Sequence, residues 1–257
     1  MDTLAILALY DEQERRQGTH SLYRREETPD VVRHICTLPN RLHFVIYSQL
    51  TAVTANRVIQ EQITYFQSIG GSGLEWKVYD HDQPSDLKER LSAHGFEPDE
   101  AEGLLVLDME EAPDSYWQPV TADVRRVTTI VQIRDIVAIQ QQVWGHDFHW
   151  LEEQLSEFLK EPEQWSVYLV YLDGKPVCGA WASFPPGSQF AGMWGGATLV
   201  DYRGRGAYTA VVNTRAQEAR QRGYRFLMID ASDMSRAILQ KRGFRFLTNT
   251  YPYTWKP

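Results

Sequence analysis

The chain has 257 residues, 43% of them hydrophobic and 23% charged, with 26 Lys and Arg against 34 Asp and Glu. That length admits one large domain or two ordinary ones, and the net charge of -8 argues against general nucleic-acid binding. No apolar run approaches the roughly 20 residues of a membrane helix, and only two cysteines occur, Cys36 and Cys178, with no metal-ligand spacing between them.

The cysteine count argues against a disulfide framework or a structural zinc site and suits a reducing cytoplasm. Residues 1–9 are mildly apolar, with Asp2 and no basic flank, so no secretory signal is expected. The charge is unevenly spread. Residues 1–119 carry 10 Lys and Arg against 21 Asp and Glu, and residues 120–257 carry 16 against 13. The two halves are therefore expected to do different jobs.

In chain order, residues 42–47 read as a strand, 55–69 as a helix and 75–80 as a strand ending in Asp80. A short helix and the hexamer Leu91-Ser92-Ala93-His94-Gly95-Phe96 follow. Residues 110–119 hold Pro113, Ser115 and Pro119 between patterned regions and read as a linker. The expected division is residues 1–115 and 116–257.

Beyond the linker, residues 134–144 and 150–159 have helical spacing, the second ending before Pro162. Residues 166–172 are rich in β-formers, Asp173-Gly174 is a hairpin turn signal, and 176–184 is the return strand. Residues 189–200 read as a third strand. A basic, glycine-bearing loop then opens a helix over 207–222, with Gly223 as its cap. The short apolar run 226–230 reads as a buried parallel strand. A helix over 235–242 ends at Gly243, and strands are expected at 244–247 and 251–255.

The two halves echo one another. Leu239-Gln240-Lys241-Arg242-Gly243-Phe244 repeats the L-x-x-x-G-F pattern of Leu91 to Phe96, each after a strand ending in Asp. This order suggests a duplicated unit, against the plainer reading that glycine often follows a helix. No glycine occurs between Asn40 and Ile69, so the first half has no glycine loop before its long helix.

The second half has that loop in Arg203-Gly204-Arg205-Gly206, followed by Ala207 and Tyr208. The first turn of a helix offers free N–H groups and the positive end of a dipole. Glycines allow close approach of a ligand, and arginines add charge-assisted donors, so the loop suits a phosphate. A Walker pattern is absent. A dinucleotide G-x-G-x-x-G would need glycine where Thr209 stands. A solvated basic turn with a glycine cap stays open as the alternative from the loop alone.

In its surroundings the loop resembles that of the GNAT (Gcn5-related N-acetyltransferase) superfamily, roughly [RQ]-x-x-G-x-[GA] between a strand and a helix. Arg203, Gly204, Arg205 and Gly206 carry the match. Ile229-Asp230-Ala231-Ser232 resembles the family's next strand, and residues 235–244 its fourth helix with a Gly-Phe ending. Tyr208 replaces a small residue. The resemblance implies an α/β (α+β) fold, a mixed twisted sheet with helices on both faces, here expected in duplicate with a degenerate, loop-less N-terminal copy.

The resemblance further implies acetyl-CoA as cosubstrate, with no metal. Its pantetheine would pair with Thr198, Leu199 and Val200, its diphosphate would meet Arg203 to Tyr208, and an amine would attack the thioester directly. Leu199 N–H is the expected oxyanion donor. The family's helix-four tyrosine is replaced by Leu239, so that general acid is missing. Ser232 and Ser235 are candidates for the thiol or pantetheine, and otherwise for helix caps. His146, Asp147, His149 and Glu152 are candidates for the base, and otherwise polar surface. Trp144, Trp150, Trp181 and Trp194 either line a pocket or fill the core, and Cys178 reads as inert core.

The expected activity is N-acetyl transfer to a small amine, with no nucleic-acid or membrane partner and with a homodimer left open. The alternatives are a CoA-binding sensor without turnover and a transferase of another acyl group.

Overall fold

The structure is a computed structural model that describes residues 1–257, the side chain of Met234 excepted. In chain order the elements are α1 (Thr3–Tyr10), β1 (Tyr23–Glu27), β2 (Val31–Cys36), β3 (His43–Ser48), α2 (Ala55–Ile69), β4 (Leu74–Tyr79), α3 (Leu87–Ala93), β5 (Glu97–Pro98) and β6 (Glu102–Asp108). They continue with β7 (Asp123–Arg126), α4 (Ile130–Trp144), α5 (Trp150–Phe158), β8 (Trp165–Leu172), β9 (Lys175–Ser183), β10 (Phe190–Thr198), α6 (Ala207–Gln221), β11 (Phe226–Ala231), α7 (Asp233–Gln240) and β12 (Arg245–Trp255). The fold is mixed α/β. Among the described residues no helix is long and apolar enough to cross a membrane.

The chain forms two compact units that do not coincide with its two sequence halves. One comprises Met1–Leu105, Asp230–Lys241 and Arg245–Pro257, and the other Val106–Ile229 and Arg242–Phe244.

In the first unit the strand order is β1-β2-β3-β4-β12. β1, β2 and β3 are antiparallel, and β3 runs parallel to β4 across α2. α2 has a strong apolar face, and Val58, Ile59, Ile63 and Phe66 bury it against Val45, Leu74, Trp76 and Val78. Gly70, at φ 73°, ends the helix in the left-handed conformation that glycine tolerates. β12 is a single strand, where two short ones were expected at 244–247 and 251–255, and it includes Pro252. Its pairs with β4 continue from Thr250 to Trp255. The proline is tolerated because a strand position needs the N–H only where a partner accepts it, and β5, on that side, is two residues long.

In the second unit β7, β8, β9 and β10 form an antiparallel meander, and β11 is parallel to β10 across α6. The β8–β9 hairpin turns at Asp173 (φ 53°) and Gly174 (φ 74°) as the sequence predicts. Helices cover both faces. α6 packs Ala207 and Val211 on Cys178 and Ala180, while Ile136 of α4 lies over Gly179, where a Cβ would come within 3.1 Å of it. Alternate residues of one strand thus face opposite helices. α4 starts at a capping box made by Thr129 and Gln132.

Candidate active site

The site begins where two parallel strands part. β10 and β11 share the pairs Phe190↔Phe226, Ala191↔Leu227 and Gly192↔Met228. β10 runs on to Thr198 without further β11 partners. This leaves a notch along one edge of β10, whose backbone groups there are available to a ligand.

A bulge lies in the same stretch. The β9–β10 register shifts between Trp194 and Ala197, and Gly195 and Gly196 occupy the shift. Gly195 has φ 59°, and a Cβ there would lie 1.9 Å from the Trp181 ring. Only glycine fits.

Arg215 of α6 sits behind this bulge, fully buried. Its Nη1 donates to Trp181 O at 3.2 Å and to Trp194 O at 3.3 Å, and its Nε to Val211 O at 3.2 Å. Burial lowers its pKa, with Tyr208 and Cys178 working the other way. From the opposite helix, Gln140 Nε2 donates to Gly195 O at 2.6 Å, and Gln140 Oε1 accepts from Trp144 Nε1 at 2.9 Å. The bulge is therefore held from α4 and from α6. Sequence reasoning missed Gly195, Gly196, Gln140 and Arg215. The adjacent glycines inside a strand were the available signal.

The oxyanion assignment to Leu199 needs correction. Leu199 N–H donates to Val177 O of β9 at 2.9 Å. It is a rung of the sheet and faces away from the notch. Strand alternation puts the backbone of Thr198 on the notch side, where its carbonyl accepts from Arg203 Nε at 3.2 Å.

After β10 the chain makes a 3-10 turn over Val200–Tyr202. Arg203 is extended, and Gly204 (φ 73°) and Gly206 (φ 86°) take left-handed conformations before α6 starts at Ala207. Nothing lies within 4 Å of a Cβ placed at either glycine. Gly206 is the N-cap and has no side chain to satisfy the first N–H groups of a 15-residue helix. Arg205 reaches Asp173 at 2.9 Å in an exposed pair, which water weakens. Tyr208 does not cover the loop. A Cβ at Gly196 would lie 3.0 Å from its ring, so it packs behind the bulge.

Ser232 and Ser235 fall in the first compact unit. Ser232 is the N-cap residue of α7, and the two hydroxyls are 2.9 Å apart. Leu239 is fully buried and offers no proton. Asp147 and His149 form an exposed pair at 2.5 Å, and the backbone N–H and ring of His149 lower the Asp147 carboxyl. Glu152 pairs with Arg134 at 3.2 Å. Neither carboxylate is enclosed as a tuned base would be. His146 is exposed. Burial raises the Cys178 thiol, although Thr198 and Arg215 pull it down, so it is a poor nucleophile.

Residues 130–244 match the family model described as "Acetyltransferase (GNAT) family". A search among curated proteins returns no match. Among solved structures, a GCN5-related N-acetyltransferase from Kribbella flavida is similar with a TM-score of 0.68 and 16% identity, over 99% of this chain and 94% of that one. A functionally unknown conserved protein from Staphylococcus epidermidis is similar with a TM-score of 0.69 and 12% identity, over 93% and 96%. A tandem GNAT protein from the clavulanic acid biosynthesis pathway gives 0.56 and 12%, over 88% and 78%. These likenesses establish the fold. The family match over residues 130–244 supports an acyltransferase as the enzyme class.

Proposed function

We propose that the protein is an N-acetyltransferase in which the second unit binds acetyl-CoA and presents its thioester to a small amine. One observation carries the reading: the notch beside β10 leads directly to an uncapped helix N-terminus behind two glycines with open space around them. Arg203, Gly204, Arg205, Gly206, Ala207 and Tyr208 surround the place for the diphosphate, with backbone N–H donors and two guanidinium groups. Acetyl-CoA supplies the activated acyl group.

In this reading the protein works mainly by orientation and by backbone hydrogen bonding. Thr198 offers its notch-side backbone to the pantetheine, after Arg203 releases its carbonyl. The oxyanion donor moves from Leu199 to the bulge, with Gly196 N–H as our assignment. Gln140 holds that peptide through Gly195 O, and Arg215 holds the preceding one through Trp194 O, before the reaction. Leu239 contributes no acid, so coenzyme A leaves as its thiolate.

We also read residues 1–115 as a degenerate GNAT copy and 116–257 as the catalytic one, because β3-α2-β4-α3 repeats the order β10-α6-β11-α7. The cytoplasm and a small amine belong to the same proposal, with no nucleic-acid or membrane partner. The buried Leu239 favours a second reading, a CoA-binding protein without turnover. Release of free thiol from acetyl-CoA with a panel of amines decides between them. Competition among acyl-CoAs of different chain length settles the acyl group. Calorimetry showing no CoA binding by the intact chain would overturn both.

A further inference from the structure

The two side chains that hold the bulge act on different peptides, and one of them touches the peptide that ends in Gly196 N–H. Arg215 reaches Trp194 O, one peptide earlier. Gln140 of α4, only 2% exposed, reaches Gly195 O through Nε2 at 2.6 Å. The other end of its amide, Oε1, accepts from Trp144 Nε1 at 2.9 Å. Gln140 and Trp144 are four residues apart on one helix, which makes them neighbours on its surface.

A side-chain amide can be turned end for end with little change of shape. Trp144 removes that freedom. An indole N–H only donates, so it selects the carbonyl end of Gln140 and leaves the NH2 end for Gly195 O. The reversed amide would set donor against donor at Trp144 and acceptor against acceptor at Gly195. Each buried amide atom left without its partner costs about 1–3 kcal/mol. The indole itself is 48% exposed, in the last turn of α4 before Gly145 (φ 74°). The ordering of the bulge peptide therefore begins at the surface.

Gly195 O and Gly196 N–H belong to one peptide unit. A donor on the oxygen draws charge along the conjugated C–N bond and leaves the N–H a stronger donor. The bonds from Trp144 to Gln140 and from Gln140 to Gly195 run donor to acceptor in one direction, so their polarisation adds. We propose that Trp144 and Gln140 are positioning residues that orient and polarise the peptide between Gly195 and Gly196, making its N–H a strengthened donor to the acyl oxygen of acetyl-CoA. Neither side chain touches the reacting atoms. The inference rests on the acetyl-CoA reading above and adds to it the residues that set the strength of the oxyanion donor.

A relay of this kind differs from packing in what it changes. A Gln140 that served only to fill space would alter stability and leave the bound thioester as it is. A polarised N–H acts on the thioester itself. It draws charge onto the acyl oxygen and lowers the carbonyl stretching frequency, before any amine is present.

The test is infrared difference spectroscopy of the intact protein with acetyl-CoA carrying a carbon isotope label at the acetyl carbonyl. Bound to the wild-type chain, the carbonyl band should lie below its position in water. Trp144→Phe keeps a ring at a half-exposed position, removes the N–H, and should lose part of that shift. Gln140→Met keeps most of the volume, removes both ends of the relay, and should lose most of it. Calorimetric dissociation constants for acetyl-CoA should stay within about threefold of wild type, roughly 0.7 kcal/mol. Should Gln140→Met melt non-cooperatively, Trp144→Phe decides alone. A wild-type band at its solution position, or a full wild-type shift in the folded variants, would overturn the relay and leave acetyl-CoA binding standing. No calorimetric binding of acetyl-CoA to the wild-type chain would overturn the underlying reading and the relay with it.

Discussion

Arg215 donates across the β-bulge to Trp194 O at 3.3 Å, and the same nitrogen reaches Trp181 O at 3.2 Å on the neighbouring strand. One guanidinium nitrogen thus serves carbonyls on both strands beside the bulge. Buried arginines rarely stand without a carboxylate. Here backbone carbonyls take that place, and the geometry of Gly195 and Gly196 depends on a side chain about twenty residues away.

Arg215→Met keeps most of the volume and removes the donors. Two buried carbonyls then lose their partner, and stability is expected to fall by about 1–3 kcal/mol in urea denaturation. If the bulge presents the oxyanion donor, kcat should fall on the order of 10²-fold while the acetyl-CoA dissociation constant stays within about threefold, roughly 0.7 kcal/mol. A folded variant with normal kcat would separate the bulge from the chemistry.

Gly206→Glu places a carboxylate and a Cβ where φ is 86° and the helix N-terminus opens. Strain at such a residue costs about 1–3 kcal/mol, and the added charge opposes a diphosphate. Acetyl-CoA affinity should drop by about tenfold or more, or 1.4 kcal/mol, with Gly206→Ala showing the strain alone. The calorimetric difference between the two variants isolates the charge. Equal affinities would remove the diphosphate from this loop.

Gly195→Ala tests the packing behind the bulge. A Cβ would fall 1.9 Å from Trp181 at a φ of 59°. Overpacking and backbone strain together should destabilise by more than about 2 kcal/mol. Gly187→Ala serves as a control, since its φ is 80° and nothing lies within 4 Å. Melting temperatures of the two variants compare strain with and without the clash.

His20 gives the fold a pH dependence of its own. Burial lowers its pKa to about 3, with His34 adding to the effect, and its Nδ1 accepts from Leu22 N–H at 3.1 Å. An imidazolium could not accept that bond. Between about pH 6.5 and 3 the unfolded chain binds a proton that the folded chain refuses, so stability should fall as pH drops through that window. Urea unfolding from pH 7 to 4 measures the slope. His20→Gln should flatten part of it, and an unchanged slope would assign the effect to other groups.

Much of the second unit was legible in the sequence because its signals are local. Asp173-Gly174 sets a hairpin through its own backbone preferences, and the apolar run at residues 226–230 marks a strand that is buried on both faces. The Arg203 to Gly206 loop reads as a helix start for the same reason. The first unit was less legible. α1, β1, β2 and β6 were not foreseen, and β1 reads Tyr-Arg-Arg-Glu-Glu, a charged strand whose conformation comes from pairing with β2. Asp147 and Glu152 attracted attention by residue type, and only the structure showed them in exposed ion pairs.

The sequence by itself determined where turns fall, which runs are buried, and that a basic glycine loop opens a long helix, since each depends on residues within a few positions of one another. Tertiary structure alone decided that Leu199 N–H is spent on β9, that Arg215 completes a bulge, that β12 runs unbroken through residues 248–250, and that Lys77 pairs with Asp230. Those outcomes rest on hydrogen-bond partners and charges brought together from distant parts of the chain, and no local pattern records which donor will meet which acceptor.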